Sequence, residues 1–321
     1  MLVGLLCIFL AYNFNSKNTF QVSGYAYGTT WSITSTEYIA DHHEKKIQNI
    51  INNIDMMASN YKPDSEIALI NNSPVNTDLL VSDGLFHILS IAQSISKESD
   101  GYYDITLGKT SSSMGFSPDF EKNIKNNPLN RSYELNKSNQ TVNKNSLFWF
   151  DLSSIAKGYA VQRIHDYLIK NNLPNHLIDI GGEVIINGTN YSEPWKIGIQ
   201  DPNSLASNPI YIIKNTNTSF LSIATSGEYR NFKTNSLGLI DTHTINPNSL
   251  RSIKPDSLSV TVISGKSATY ADGYATAFNA MSVNKSIEIA NANDIALMLV
   301  VENGSDIELL FSDKWYDFAY E

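Results

Sequence analysis

Partway along this chain the spacing of apolar residues changes from helical to extended, and few architectures accommodate that change. In HEKKIQNIINNIDMMASNY, residues 43–61, Ile47, Ile50, Ile51, Ile54 and Met57 recur three and four apart, the stripe of an amphipathic helix. Leu85, Ile88, Leu89, Ala92 and Ile95 repeat the pattern after Ser82, a plausible N-cap. A third helix is expected from about Ser153 through IAKGYAVQRIHDYLIKNN, ending before Pro174 because the residue preceding a proline disfavours helix. From there strands dominate: HLIDIG, EVIING, WKIGIQ, IYIIKN, FLSIAT and SLSVTVIS are alternating or β-branched, with turns rich in Gly and Pro between them. Helices early and strands late imply an α+β fold with mixed, largely antiparallel sheets, not a doubly wound parallel sheet. The Asn- and Lys-rich segment from Asp119 to Asn145, with YEL and TVN as short alternating pieces, is expected to be a surface hairpin inserted between lobes.

With 321 residues and 42% hydrophobic content the chain can bury a large core, as one big domain or two intimate lobes. A net charge of -9 excludes nucleic acid as the expected partner, because phosphate binding needs clustered Lys and Arg. An anionic ligand would then need backbone amides or a metal. Cys7 has no partner for an internal disulfide, and the six histidines show no metal-ligand spacing, so zinc and redox-thiol chemistry drop out. MLVGLLCIFLAY, residues 1–12, is shorter than the roughly 20 apolar residues a spanning helix needs. Residues 1–20 are therefore expected to act as an export signal or membrane anchor, and residues 21–321 to form the folded domain. No Lys or Arg precedes the run, and the bulky Leu6 stands before Cys7, the candidate lipid-bearing residue.

Four stretches carry candidate chemistry. DGYYDITLGKT, residues 100–110, reads as a helix stop at Gly101 followed by a strand start with Asp104 and Thr106, and Gly108 permits a tight turn. DLSSIAKGYA, residues 151–160, leads into a helix whose first-turn amides can receive an anion, and Lys157 sits poorly there unless it faces a negative group. DIGGEV, residues 179–184, places two glycines between apolar strands, the sign of a bulge or of close backbone approach. ATYADGYATAFNAM, residues 268–281, follows a strand and is expected to be a helix capped by Ser267 or Thr269. Asp272 and Thr276 are four apart on it and share a face, and their oxygens suit a hard cation such as magnesium. Their small neighbours would admit a large charged ligand. An aspartate near a helix start is also an ordinary cap or dipole partner.

Taken in order, GTTWSIT, YKPDSEIALIN, SDGYYDIT, DLSSIAKGYAV, DIGGEV, PWKIGIQDP, ATSGEYRNF and ADGYATAF closely resemble the ApbE family, the FAD:protein FMN transferases, from about Tyr25 to Phe311. The resemblance implies a two-lobed, T-fold-like α+β architecture. It also implies a Mg2+-dependent enzyme that moves FMN from FAD onto a Thr or Ser hydroxyl of a target protein and releases AMP. By matching position the metal would be held by Asp272, Thr276 and the backbone carbonyl of Ser154. FAD contacts would fall on Tyr27, Asn60, Tyr61, Lys62, Gly101, Tyr102, Tyr103, Lys157 and the segment around His243. Asp272 and Lys157 are the catalytic candidates, with Lys157 acting on the diphosphate or pairing with Asp104. The expected acceptors are flavinylated subunits of membrane redox complexes, and the expected location is the periplasmic side of the inner membrane.

Three positions depart from the family pattern. Tyr27 replaces a methionine and would enlarge and stiffen the flavin wall. Asn246 stands where the family has an aspartate, and Leu250 where it has a turn glycine, although leucine disfavours positive φ. Asn246 and Leu250 keep open a protein that binds FAD without transferring it, and the same metal site would also serve a diphosphatase that uses water to give FMN and AMP.

Overall fold

A computed structural model describes residues 18–118, 128, 130–203, 208–227, 232–234, 240–242, 244–304 and 306–318. Its centre is one sheet of eight strands: β1 (Phe20–Ala26), β2 (Thr29–Ser35), β3 (His176–Ile180), β4 (Glu183–Asn187), β5 (Leu221–Gly227), β6 (Ser257–Ser264), β7 (Ala296–Asn303) and β8 (Asp306–Phe311). Strand order in the sheet follows chain order, and every neighbouring pair is antiparallel. The α+β expectation holds. The helices enter as two insertions: α1 (Asp41–Ala58), α2 (Glu66–Asn71), α3 (Asp83–Glu98), α4 (Gly108–Ser113) and α5 (Ala156–Lys170) between β2 and β3, then α6 (Ala268–Asn279) and α7 (Val283–Ala292) between β6 and β7.

Both faces of the sheet are covered, by two apolar cores. Ile33, Ile178, Ile185, Val260, Val262, Leu297 and Leu299 face the helices. Ile186, Ile223, Ile263, Met298 and Val300 face the opposite way, onto Trp195, Ile213 and Trp315. Alternate residues of ALMLVV therefore serve different cores, which is why β7 is apolar from Ala296 to Val301 and shows no two-residue period there. The 196–200 and 209–214 segments pair as a ribbon over that second face.

Helix caps follow the sequence closely. Ser82 accepts from Leu85 N–H at the start of α3, and Ser267 accepts from Tyr270 N–H at the start of α6. The hairpin inside residues 119–145 forms from 133–136 and 141–144, and joins the short strand 79–80. It is not purely a surface feature, because Val142 and Lys144 are buried. Gly108 opens α4 where a strand start and turn were expected. The physical reason is close approach, since a Cβ there would lie 2.8 Å from the Trp149 carbonyl oxygen. No described helix is long and apolar enough to cross a membrane, and residues 1–17 lie outside the described residues.

Candidate functional site

The site grows where the starts of α5, α6 and β4 converge. The N–H of Gly158, in the first turn of α5, donates to Oδ2 of Asp272 at 2.8 Å. One of the amides expected to receive an external anion is thus already committed to a carboxylate of the chain. A Cβ at Gly158 would lie 2.4 Å from the Ala268 carbonyl oxygen, and one at Gly273 would lie 2.5 Å from Ile95 Cδ1. The small residues around Asp272 accordingly serve helix packing: α6 is pressed against α5, α3 and the β5–β6 pair. The expectation that they clear space for a ligand is corrected on this point.

Lys157 pairs with Glu183 at 2.5 Å, and Asp104 pairs with Arg131 at 2.9 Å, so of the two roles left open for Lys157 the pairing with Asp104 is not formed. Asp272 and Glu183 are each 4% exposed. Burial pushes the Asp272 carboxyl well above its ordinary range, and the nearby Glu183 charge pushes it further, against the opposing pull of Lys157 and the Gly158 amide. Burial likewise raises Glu183 despite its lysine. Two buried carboxyl groups beside one lysine favour the uptake of a proton or of a further cation. Thr276 lies one turn beyond Asp272 on the same face of α6, half-buried. This donor set, all oxygen and anionic in excess, fits a hard divalent cation. Among the described residues no group of three or more His, Cys, Asp or Glu could hold a metal, so any cation here relies on an alcohol and main-chain oxygens.

Around this cluster the structure gathers several of the expected flavin residues. Tyr103 is buried, with its hydroxyl 3.0 Å from Ser154 Oγ, which fixes the Gly101–Tyr103 loop against the DLSSIAKG turn. Asp100, at φ 52, is the left-handed residue closing α3; Gly101 follows at φ 78, and a side chain there would meet nothing within 4 Å. Tyr102 is half-buried against the helical core. Asn60 Nδ2 donates to the Phe150 carbonyl at 3.1 Å, while its buried Oδ1 has no partner in the structure. Exposed Tyr61 donates its hydroxyl to the Phe116 carbonyl at 2.9 Å.

Two residues point elsewhere. Tyr27 occupies the β1–β2 turn at φ 53, and its hydroxyl donates to the Ile51 carbonyl at 2.8 Å, which ties the ring to α1. Lys62 pairs with Asp55 of the same helix at 2.6 Å. His243 lies outside the described residues. Sequence reasoning passed over Glu183, Gly158 and Arg131. Glu183 carried a legible signal, an acid at the head of the otherwise apolar EVIIN strand. Arg131 carried none, because it sits in a polar segment without period.

The sequence model of the ApbE family matches residues 27–299. The FAD:protein FMN transferase of Haemophilus influenzae is 30% identical over 312 residues, covering 88% of this chain and 87% of that protein. Its namesake from Vibrio cholerae is 29% identical over 316 residues, covering 93% of this chain and 92% of that one. The solved structure of the flavin transferase ApbE from Vibrio cholerae superposes with a TM-score of 0.79 at 27% identity, covering 94% of this chain and all of that one (100%). The chain belongs to the ApbE family.

Proposed function

We propose that this chain is an FAD:protein FMN transferase that moves FMN from FAD onto a Thr or Ser hydroxyl of a target protein, uses Mg2+ and releases AMP. The transferase activity rests on family membership and on relatives that carry that name over nearly the whole chain. The metal dependence rests on one observation: Asp272, buried and short of positive charge, lies against the first turn of α5 next to the Ser154 segment. Asp272, Thr276 and the Ser154 carbonyl would hold the ion. Bound there, magnesium supplies neutralisation of the charge that develops on the phosphoryl oxygens.

The chain's own residues do the rest. Tyr103 holds the DLSSIAKG turn in place, and Glu183 fixes Lys157, whose side chain remains 28% exposed and able to face the diphosphate. The open Gly101 turn and the unpartnered Asn60 Oδ1 offer a way in and an acceptor for the substrate. In the reaction the hydroxyl oxygen bonds to the phosphorus on the FMN side. The bond from that phosphorus to the bridging oxygen breaks, AMP departs with that oxygen, and the hydroxyl proton is given up. The acceptors that go with this reading are flavinylated subunits of membrane redox complexes outside the cytoplasmic membrane, supported by the apolar run at residues 1–12.

Incubation with FAD, Mg2+ and a purified acceptor subunit, followed by a denaturing gel, should show flavin fluorescence on the acceptor. Asp272→Ala and Thr276→Val should each abolish it. FAD bound without acceptor fluorescence would indicate a binding protein, and AMP released without acceptor would indicate a diphosphatase.

A further inference from the structure

Arg131 lies outside every stretch that carries the family likeness, yet its side chain is 7% exposed and its donors reach two distant segments as well as its own. Nη2 donates to Asp104 Oδ2 at 2.9 Å and to the Pro247 carbonyl at 3.0 Å. Nε donates to Thr106 Oγ1 at 3.0 Å, and Nη1 to the Pro128 carbonyl at 2.9 Å. Asp104 Oδ1 in turn accepts from Thr106 N–H at 2.8 Å and from the Thr106 hydroxyl at 2.6 Å. Asp104, Thr106 and Arg131 thus form one closed set of charge-assisted bonds directly after the Gly101–Tyr103 loop.

Pro247 belongs to the turn of a small ribbon made by 245–246 and 251–252. Just before it, Thr244 Oγ1 accepts from Asn279 Nδ2 at 2.9 Å, and Asn279 ends α6, the helix of Asp272 and Thr276. The ribbon therefore bridges the two stretches on which the FAD site is proposed, tied to α6 at one end and to the Asp104 loop by Arg131 at the other. Its turn needs an outside hold, because Leu250 is kept at φ 55, a conformation leucine does not choose by itself.

We propose that Arg131 is a positioning residue for dinucleotide binding: its guanidinium fork clamps the 245–252 ribbon onto the Asp104 loop and so sets the spacing of the FAD site without touching the reacting atoms. The proposal rests on FAD occupying the space beside Gly101–Tyr103. A lysine keeps the charge at 131 but cannot span three segments with a planar fork.

The test is steady-state transfer at saturating acceptor subunit with FAD varied, together with FAD binding followed by flavin fluorescence. Arg131→Lys should raise the KM and Kd for FAD about tenfold, with Arg131→Met at least as severe and kcat within about threefold of the parent. Asp104→Asn, isosteric and less disruptive, should move KM the same way. The Arg131→Lys/Asp104→Asn double variant should be no worse than Arg131→Lys alone, because both remove one interaction. An unchanged KM for FAD, a loss carried by kcat, or additive effects in the double variant would overturn the assignment. Failure of the parent protein to bind FAD would instead sink the FAD reading itself, which keeps the two apart.

Discussion

Gly158 and Asp272 are fitted to each other twice over: the glycine N–H donates to the aspartate Oδ2 at 2.8 Å, and a methyl group at 158 would lie 2.6 Å from the aspartate Cβ. The same absence of a side chain that lets α5 approach α6 brings the carboxylate within reach of a helix-start amide. Gly158→Ala should therefore cost about 1–3 kcal/mol by overpacking. It should also lower magnesium-supported transfer, since pushing the helices apart removes the bond that aims Asp272. Urea unfolding and a magnesium titration of activity check the two effects separately, and an alanine variant of parental stability would show that the helices yield easily.

Lys157 and Glu183 make the second constraint. The carboxylate is almost fully buried while the lysine keeps one side toward solvent. Removing the cation leaves Glu183 and Asp272 facing each other without it, so Lys157→Met should destabilise the protein by about 3 kcal/mol. Adding Glu183→Gln should restore part of that loss, because the uncompensated charge goes with it. A double-variant cycle by urea denaturation measures the coupling, and additive losses would mean the pair contributes little.

A pH dependence follows from a pair remote from Asp272. His176 Nδ1 lies 2.7 Å from the Leu173 carbonyl, which makes it the donor there, so the contact of 2.9 Å between His165 Nδ1 and His176 Nε2 has His165 as donor. Burial holds both rings at a pKa of about 4, below the ordinary 6.5. Between those values the unfolded chain takes up protons that the folded protein refuses. Stability is thus full above about pH 6.5 and falls as the pH drops toward 4, by on the order of 3 kcal/mol for each ring. His165→Asn can keep a donor toward His176 while removing one titrating group. Denaturation at pH 7.5 and pH 5 should show a smaller difference for the variant than for the parent.

The parts of this molecule legible in its sequence are those in which local period and local chemistry agree. The stripe through Ile47, Ile51 and Ile54 and the Ser82 and Ser267 caps are cases of that kind. β7 was silent because residues facing both cores are apolar, which erases the alternation on which a strand reading depends. Gly108 announced tight geometry, but not what would fill it, and Gly158 and Gly273 carried no such signal. In all three the neighbour is the protein. The Asp272–Thr276 spacing was visible as a pair on one helix face. Glu183, contributed by a strand 89 residues earlier in the sequence, was not, since only the fold brings it beside Lys157.

The turn carrying Asn246 and Leu250 gives the last prediction. Asn246 Oδ1 accepts from both Asn248 N–H and Ser249 N–H at 2.9 Å, and the Asn246 carbonyl accepts from Leu250 N–H at 2.9 Å. An aspartate oxygen would accept the same two amides, so amide and carboxylate are equivalent for building this turn. Asn246→Asp should leave stability nearly unchanged, whereas Asn246→Ala, which orphans both amides, should cost about 1 kcal/mol. Leu250 holds φ 55 against its own preference, and Leu250→Gly should return about 1 kcal/mol, offset in part by the greater freedom glycine gives the unfolded chain. Thermal and urea unfolding of the three variants rank them. A destabilised Leu250→Gly would mean that packing of the leucine side chain, and not the Arg131 clamp with the Asn246 bonds, keeps the turn in its left-handed form.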